Sequence, residues 1–562
     1  MYQPDTAPVG GSLALSALVA ALPLVTVFVL LGVFRVKAHW AGLSALGTAL
    51  VVAVVAYGMP VDLAALAATE GAAFGLFPIL WIVLAAIWLY QLTVVSGRFE
   101  DLRAAFGRLS PDPRVQAIII AFCFGGLLEA LAGFGAPVAI TGMMLVTLGF
   151  PPLRAAITVL LANTAPVAFG AMAIPIVTAG ELTGIPYEQI GAVVGRQTPI
   201  LALVVPLLLV AVVDGRRGIR QTWPAAVVTG AVFAFAQFVC SNYVSVELTD
   251  IVSSLAGAAA LVVLLRFWQP KGSDDVRDAL QNGTLPNPGS GDGVEPTGNA
   301  DTATRTLAAP RDQLTRSRTL WALFPYLLVI GVFSVVKLWK PLGELLASTT
   351  VEIPWPGLHG AILTASGEPT STTIYSLEWL SSPGTLLAVC GIVVAAAYRL
   401  PMSTATREFV SAATSLRWPA LTVAGVLALA YVMNQSGQTL TIAMWIGGAG
   451  AAFSFLSPVL GWLGVAVTGS DTSANALFAT LQQGVASKVG IDPTLLVAAN
   501  SSGGVMGKMI SPQNLTIATS AVGLVGRESD LFRCVVKWSL GLLLVLCALT
   551  ALQASVLSWM LP

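Results

Sequence analysis

The stretch NSSGGVMGKMISPQN, from Asn500 to Asn514, decides how this chain is read. Its Gly507-Lys508 pair looks like the end of a phosphate-binding loop. That motif is G-x-x-x-x-G-K-[ST], because the last hydroxyl must hold the metal. Ser502 stands where the first glycine belongs and Met509 follows the lysine, so the motif fails at both ends. LLVAAN precedes the stretch and further apolar residues follow it, which makes it part of a membrane span. Each glycine of the Gly503-Gly504 pair lowers helix propensity by about 1 kcal/mol, so a break is expected at Asn500–Gly504. A helix broken at mid-membrane exposes backbone N–H groups at the start of its second half. Their positive dipole end suits an anion.

Composition agrees. The 562 residues are 56% hydrophobic and 10% charged, with mean hydropathy +0.82. A soluble domain carries about 25% charge, so the expected class is an all-α polytopic protein of the cell membrane. The 28 basic and 28 acidic residues cancel, which argues against nucleic acid as a partner. The five cysteines lie in or beside apolar runs without metal spacing, and His39 and His359 have no neighbouring ligand set. No metal, cofactor or enzymatic centre is expected, because a nucleophile–base pair within the membrane is lacking. The opening MYQPDTAPVGG has no basic region, so the apolar run after it is read as a retained span.

A bilayer core takes about 20 apolar residues per helix. Full crossings are expected near 13–33, 42–59, 72–96, 153–180, 198–214, 223–243, 250–268, 320–339, 383–400, 418–436, 493–520 and 538–560, about twelve in all. Basic loops mark the cytoplasmic side: Arg35/Lys37, Arg98 to Arg114, Arg216 to Arg220, Arg266 to Arg318, Arg399 to Arg417 and Arg527 to Lys537. Lys337 and Lys340 are the exception. Arg114 and Arg216 are both inside with two crossings between them, so 115–149 must enter and return from the inner face. By the same parity 439–484 must enter and return from the outer face. One re-entrant hairpin from each side is the signature of inverted repeats.

The repeats are visible directly. NTAPVAFGAMAIP (Asn163–Pro175) aligns without a gap on NSSGGVMGKMISP (Asn500–Pro512), pairing Asn163 with Asn500, Thr164 with Ser501, Gly170 with Gly507, Met172 with Met509 and Pro175 with Pro512. Each follows a Gly-rich hairpin tip, GFGAPVAI at Gly133 and GSDTSANALF at Gly469. The expected organisation is a membrane half at 1–269 with broken helix 153–180, and a second at 319–562 with broken helix 493–520. The segment 270–318, rich in Gly, Pro and Asp, cannot bury a core and is expected to be a disordered cytoplasmic linker.

Glu129, Asp471 and Lys508 lie inside apolar segments, where a charge costs about 2.5–3.5 kcal/mol. Lys508 is the expected partner of a substrate carboxylate, with Arg196 and Gln513 as further candidates. Asn163, Thr164, Ser473, Asn475, Asn500, Ser501 and Ser502 are expected to line one cavity and hydrogen-bond the ligand. Glu129 and Asp471 are the candidate proton carriers. Ser470, Thr472 and Ser473 surround Asp471, which is expected to be hydrogen-bonded and to pair with Lys508. Glu129 is flanked by Leu127, Leu128, Ala130 and Leu131, with little to hold a negative charge, and is the favoured carrier.

At these residues the chain resembles the lactate permease family of bacterial and archaeal secondary transporters. The resemblance rests on FCFGGLLEALAGFGAPVAIT (122–141), NTAPVAFGAMAIPI (163–176), VGRQTP (194–199), GWLGVAVTGSDTSANALFATLQ (461–482), AANSSGGVMGKMISPQN (498–514) and AVGLVGRESDLFR (521–533). It implies uptake of short 2-hydroxy monocarboxylates, L-lactate with D-lactate and glycolate, together with a proton. It also implies kinship with ion-transporter folds built from two inverted halves. A sodium-coupled carboxylate carrier is the alternative, because broken helices also offer carbonyls to Na⁺.

Overall fold

A run of Val, Leu, Ile and Ala as long as Val61–Val95 has one stable home, a helix whose own backbone satisfies every N–H and C=O in lipid. The computed structural model is built from such helices; it describes residues 1–562 except 35, 108, 133–134, 282–314, 364–369, 371–372 and 525–526. Among the described residues, eight helices are long and apolar enough to cross a membrane, or up to ten if each of two bent pairs is one span. Fewer pass this test than the twelve crossings expected, because several segments are short, broken or merged. Leu13–Phe28 and Pro383–Ala397 are shorter apolar helices. The expected spans 198–214 and 223–243 run together as Tyr187–Tyr243, broken at Asp214 and Gly215 (φ 60°, ψ −147°). Gly230 packs so closely on Leu203 that a Cβ there would stand 2.6 Å from its carbonyl oxygen, so the two halves fold back on each other.

The stretch 115–149 contains a helix, Pro113–Leu131, and a second helix, Ala136–Thr147, entered through the left-handed Gly135 (φ 88°). The tip glycine Gly133 lies outside the described residues. The stretch 439–484 does the same: Gln438–Thr468, a left-handed Gly469 (φ 76°), then Asp471–Val489 capped by the Ser470 hydroxyl. The first expected break is present. Pro152–Ala162 ends before Asn163, and Val167–Thr183 departs from it at 62°.

The second break lies elsewhere. Pro493–Lys508 is one uninterrupted helix through Asn500–Gly504, and the chain turns at Met509–Ser511 before Pro512–Ala521. The glycines serve packing here. A Cβ at Gly503 would strike the Pro458 carbonyl, one at Gly507 the Trp462 carbonyl, and one at Gly461 the Asn500 carbonyl. Small residues let two membrane helices approach backbone to backbone, and that contact outweighs the propensity cost of about 1 kcal/mol per glycine. Two further features depart from expectation. Val351–Pro354 and Ile374–Leu377 form a small antiparallel sheet between two apolar helices. Within the expected linker, Ser273–Gln281 is helical, because Ser273 and the Lys271 carbonyl bond a buried Asp112–Arg114 pair.

Candidate functional site

The two hairpins and the two interrupted spans converge on a cavity of about 730 Å³. Glu129, Asp471, Ser473, Lys508 and Gln513 stand on its wall, and Lys37, His39 and Trp418 line it as well. The His39 ring is stacked on Trp418 at 4.6 Å. The cavity wall is also where the backbone is strained. Ala171, Met172 and Ala173 are all left-handed (φ 47°, 59° and 58°), a conformation that costs a non-glycine residue about 1–2 kcal/mol. Burial on every side holds them there, and such strain gathers at functional sites. Gly170 precedes them because a Cβ would come within 3.0 Å of the Glu129 side chain.

The charged centre is a pair between residues 379 positions apart in the chain. Lys508 Nζ donates to Glu129 Oε1 at 2.6 Å, and the Asn163 amide donates to Glu129 Oε2 at 2.9 Å. Both charged side chains are buried, Glu129 to 2% exposure and Lys508 to 9%. This reverses the expected pairing. Glu129, flanked in sequence by leucines, receives both available donors. Asp471 has neither carboxylate oxygen hydrogen-bonded, although it is also buried on the cavity wall. The Ser470 hydroxyl is turned to the Ser473 N–H as a helix cap instead of to Asp471. Lys508 remains within electrostatic range of Asp471.

The small polar residues divide. Ser473 and Gln513 face the cavity, and Asn163 and Thr164 line a small adjoining pocket with Lys508. Asn475, Asn500 and Ser501 bond one another within the packed helices: Asn475 Nδ2 donates to Ser501 Oγ at 2.6 Å and to the Pro175 carbonyl at 2.9 Å, and Asn500 Nδ2 donates to Asn475 Oδ1 at 2.9 Å. Ser502 is fully buried beside them. So the structure does not bring all seven to one cavity. Arg196 does not reach in, since its guanidinium is held by Asn242 and the Met560 carbonyl. Asp250, fully buried and with neither carboxylate oxygen bonded, went unnoticed in the sequence because it stands at the edge of an apolar run. The polar stripe Asp250, Ser254, one turn apart on a helix, was the available signal.

Comparison with known proteins adds the family. The profile for L-lactate permease matches residues 16–557. The chain is 44% identical to the glycolate permease GlcA of Escherichia coli (strain K12), over 99% of this chain and 98% of the relative. It is 43% identical to the L-lactate permease of Bacillus subtilis (strain 168), over 99% of each. Among solved structures, the YdaH transporter of Alcanivorax borkumensis aligns with 98% of this chain and 99% of its own, at 14% identity and a TM-score of 0.47, too slight a likeness to argue from.

Proposed function

The chain belongs to the L-lactate permease family, and from that premise we propose that it imports L-lactate and related 2-hydroxy monocarboxylates, glycolate among them, across the cell membrane together with a proton. It is a permease, not an enzyme. The observation that carries the mechanism is the Lys508–Glu129 pair on the cavity wall. In the empty carrier Lys508 is neutralised by Glu129. When a proton binds Glu129, Lys508 is released and the substrate carboxylate takes its place, so the site again holds one cation and one anion. Either ligand alone leaves a buried charge unpaired, which costs about 3–5 kcal/mol. Only the empty and the doubly loaded carrier therefore move freely, and that is coupling. The proton also cancels the charge of the substrate, whose entry alone would oppose an inside-negative potential at about 2.3 kcal/mol per 100 mV.

Ser473 and Gln513 are in place to bond the 2-hydroxyl, with Asn163 and Thr164 beside the pair. Asn475, Asn500, Ser501 and Ser502 act behind them, holding the helices that carry Lys508. In the architecture we propose, about twelve crossings and two re-entrant hairpins form inverted halves. This reading is supported by the two hairpins, whose turn residues Gly135 and Gly469 both touch the cavity. Lys37 on the cavity wall belongs to a loop that the charge pattern assigns to the cytoplasm, so this conformation opens inward.

The test is uptake of labelled L-lactate, D-lactate, glycolate, acetate and succinate by proteoliposomes under an imposed pH gradient or an imposed Na⁺ gradient. Accumulation of the 2-hydroxy acids under the pH gradient alone is expected. Accumulation only under the Na⁺ gradient, or none above equilibrium, would sink the reading.

A further inference from the structure

Within electrostatic range of Glu129, and not on the cavity wall, stands a second carboxyl group. Asp250 lies in the first turn of Thr249–Phe267. It is fully buried, and neither of its oxygens has a hydrogen-bond partner. Most other buried carboxylates among the described residues are answered: Asp112 by Arg114, Glu70 by Gln435, Glu247 by Tyr187 and Ser245, and Glu129 by Lys508 and Asn163. A carboxyl group buried without partners weakens a fold, which asks what it does there.

Its neighbours say what. Gly126 abuts the Ser254 hydroxyl, 2.5 Å from where a Cβ would stand. One helical turn before Ser254, Asp250 comes within electrostatic range of both Glu129 and Lys508. The loop 244–248 is short, so the helix after it runs antiparallel to the one before. Thr229 faces Gly257, and two turns along Gln237 comes level with Asp250. The Gln237 amide donates to the Ala165 carbonyl, freed by the broken span, while its own oxygen and the Ser254 hydroxyl are unbonded in the interior. Asp250, Ser254 and Gln237 are thus buried polar groups with unbonded oxygens, set among apolar helices and packed against the helix that carries Glu129. Glu247, on the loop immediately before the helix, is bonded to Ser245 and Tyr187. The remaining ionisable groups facing Asp250 are Lys508 and Cys240.

We propose that Asp250 is a proton relay, passing the coupling proton between Glu129 and the face of the protein opposite the cavity mouth. The inference rests on the proton-coupled reading above. Only a proton moves: the Asp250 carboxyl group gives it up to the Glu129 carboxylate, and Asp250, now ionised, is reprotonated from the side of Glu247. Substrate never touches Asp250, so exchange of bound for bound substrate, which needs no net proton movement, does not depend on it.

Asp250→Asn, nearly isosteric, separates the two processes. In proteoliposomes its initial rate of uptake driven by a pH gradient should fall roughly tenfold or more, as expected for loss of a proton-transfer group. Equilibrium exchange of labelled for unlabelled L-lactate should stay at the wild-type rate, and the final accumulated level should match wild type, reached more slowly. Asp250→Glu should restore most of the initial rate and shift its pH profile. An Asp250→Asn carrier with wild-type initial rates overturns the proposal. So does a parallel loss of uptake and exchange in both variants, which marks a packing role. Failure of the wild-type carrier to accumulate substrate under the pH gradient would instead count against proton coupling itself.

Discussion

Two buried cations in this molecule sit in opposite circumstances. Arg114, fully buried, uses its whole fork: Asp112 takes Nε and Nη2 at 3.1 and 2.7 Å, Asp214 and Gln221 take Nη1 at 3.0 and 2.6 Å, and the Lys271 carbonyl takes Nη2 at 2.8 Å. Those partners come from the start of one span, the Tyr187–Tyr243 helix at and just after its kink, and the segment after Thr249–Phe267. A planar guanidinium saturated in this way is a cross-link. Lys508 makes one charged contact, to Glu129, on the wall of a cavity with two further carboxyl groups in electrostatic range. An ammonium is a point charge on a flexible stem, and a single bond can be exchanged for another. The difference teaches that a buried ion pair is a device for transport only where its partners are too few and room is left for a competitor.

That contrast can be broken by substitution. The largest effect on transport is expected from Lys508→Met, which removes the carboxylate's partner. Uptake and binding of labelled L-lactate should both fall by roughly a hundredfold or more, the scale of a lost buried charge pair, while the amount of protein in the membrane stays near wild type. Normal binding would make Lys508 structural, like Arg114. Next comes Glu129→Gln, which fixes the protonated form. Accumulation under a pH gradient should vanish, while exchange of labelled for unlabelled L-lactate is retained. Retained accumulation would move the proton to Asp471 or to the substrate.

Arg114→Met should act in the other sense. It leaves Asp112 and Asp214 buried without their cation, a loss of about 3–5 kcal/mol, read as a lower thermal midpoint in detergent. The KM for L-lactate in the protein that does fold should be unchanged. A changed KM would dissolve the distinction between the two sites. The smallest effect concerns pH. Burial raises the Asp112 carboxyl, but hydrogen bonds from Arg114 and Ser273 and the charge of Arg114 outweigh it, leaving it below the usual carboxylate value. A group lowered in the folded state stabilises above its unfolded value and loses that contribution as pH falls through its folded one. Thermal stability should therefore decline below about pH 4, and less steeply in Arg114→Met, where the shift is gone.

Much of this was legible in the chain. Hydropathy and charge sparsity put it in the membrane, because lipid admits only backbones that satisfy themselves. Asn163–Pro166 announced a broken span, since proline and the polar pair act locally on one stretch of helix. Glu129, Asp471, Lys508, Ser473 and Gln513 announced themselves as charges or polar groups that lipid would not accept, and all five meet at one cavity. What local reasoning missed was set by partners far away in sequence. Gly503 and Gly504 read as helix breakers, but Gly503 packs on the Pro458 backbone of the 453–468 helix and Gly504 on the Val465 and Asp471 side chains, so both make a packing face. Lys508 was expected to pair with Asp471, 37 residues earlier in the motif beside it. It pairs instead with Glu129 across 379 residues, because the first hairpin brings that carboxylate to the cavity wall. Residue chemistry determined which groups could carry charge through the membrane. Only tertiary packing decided which of them touch, because a long-range contact depends on the whole fold and on no single segment.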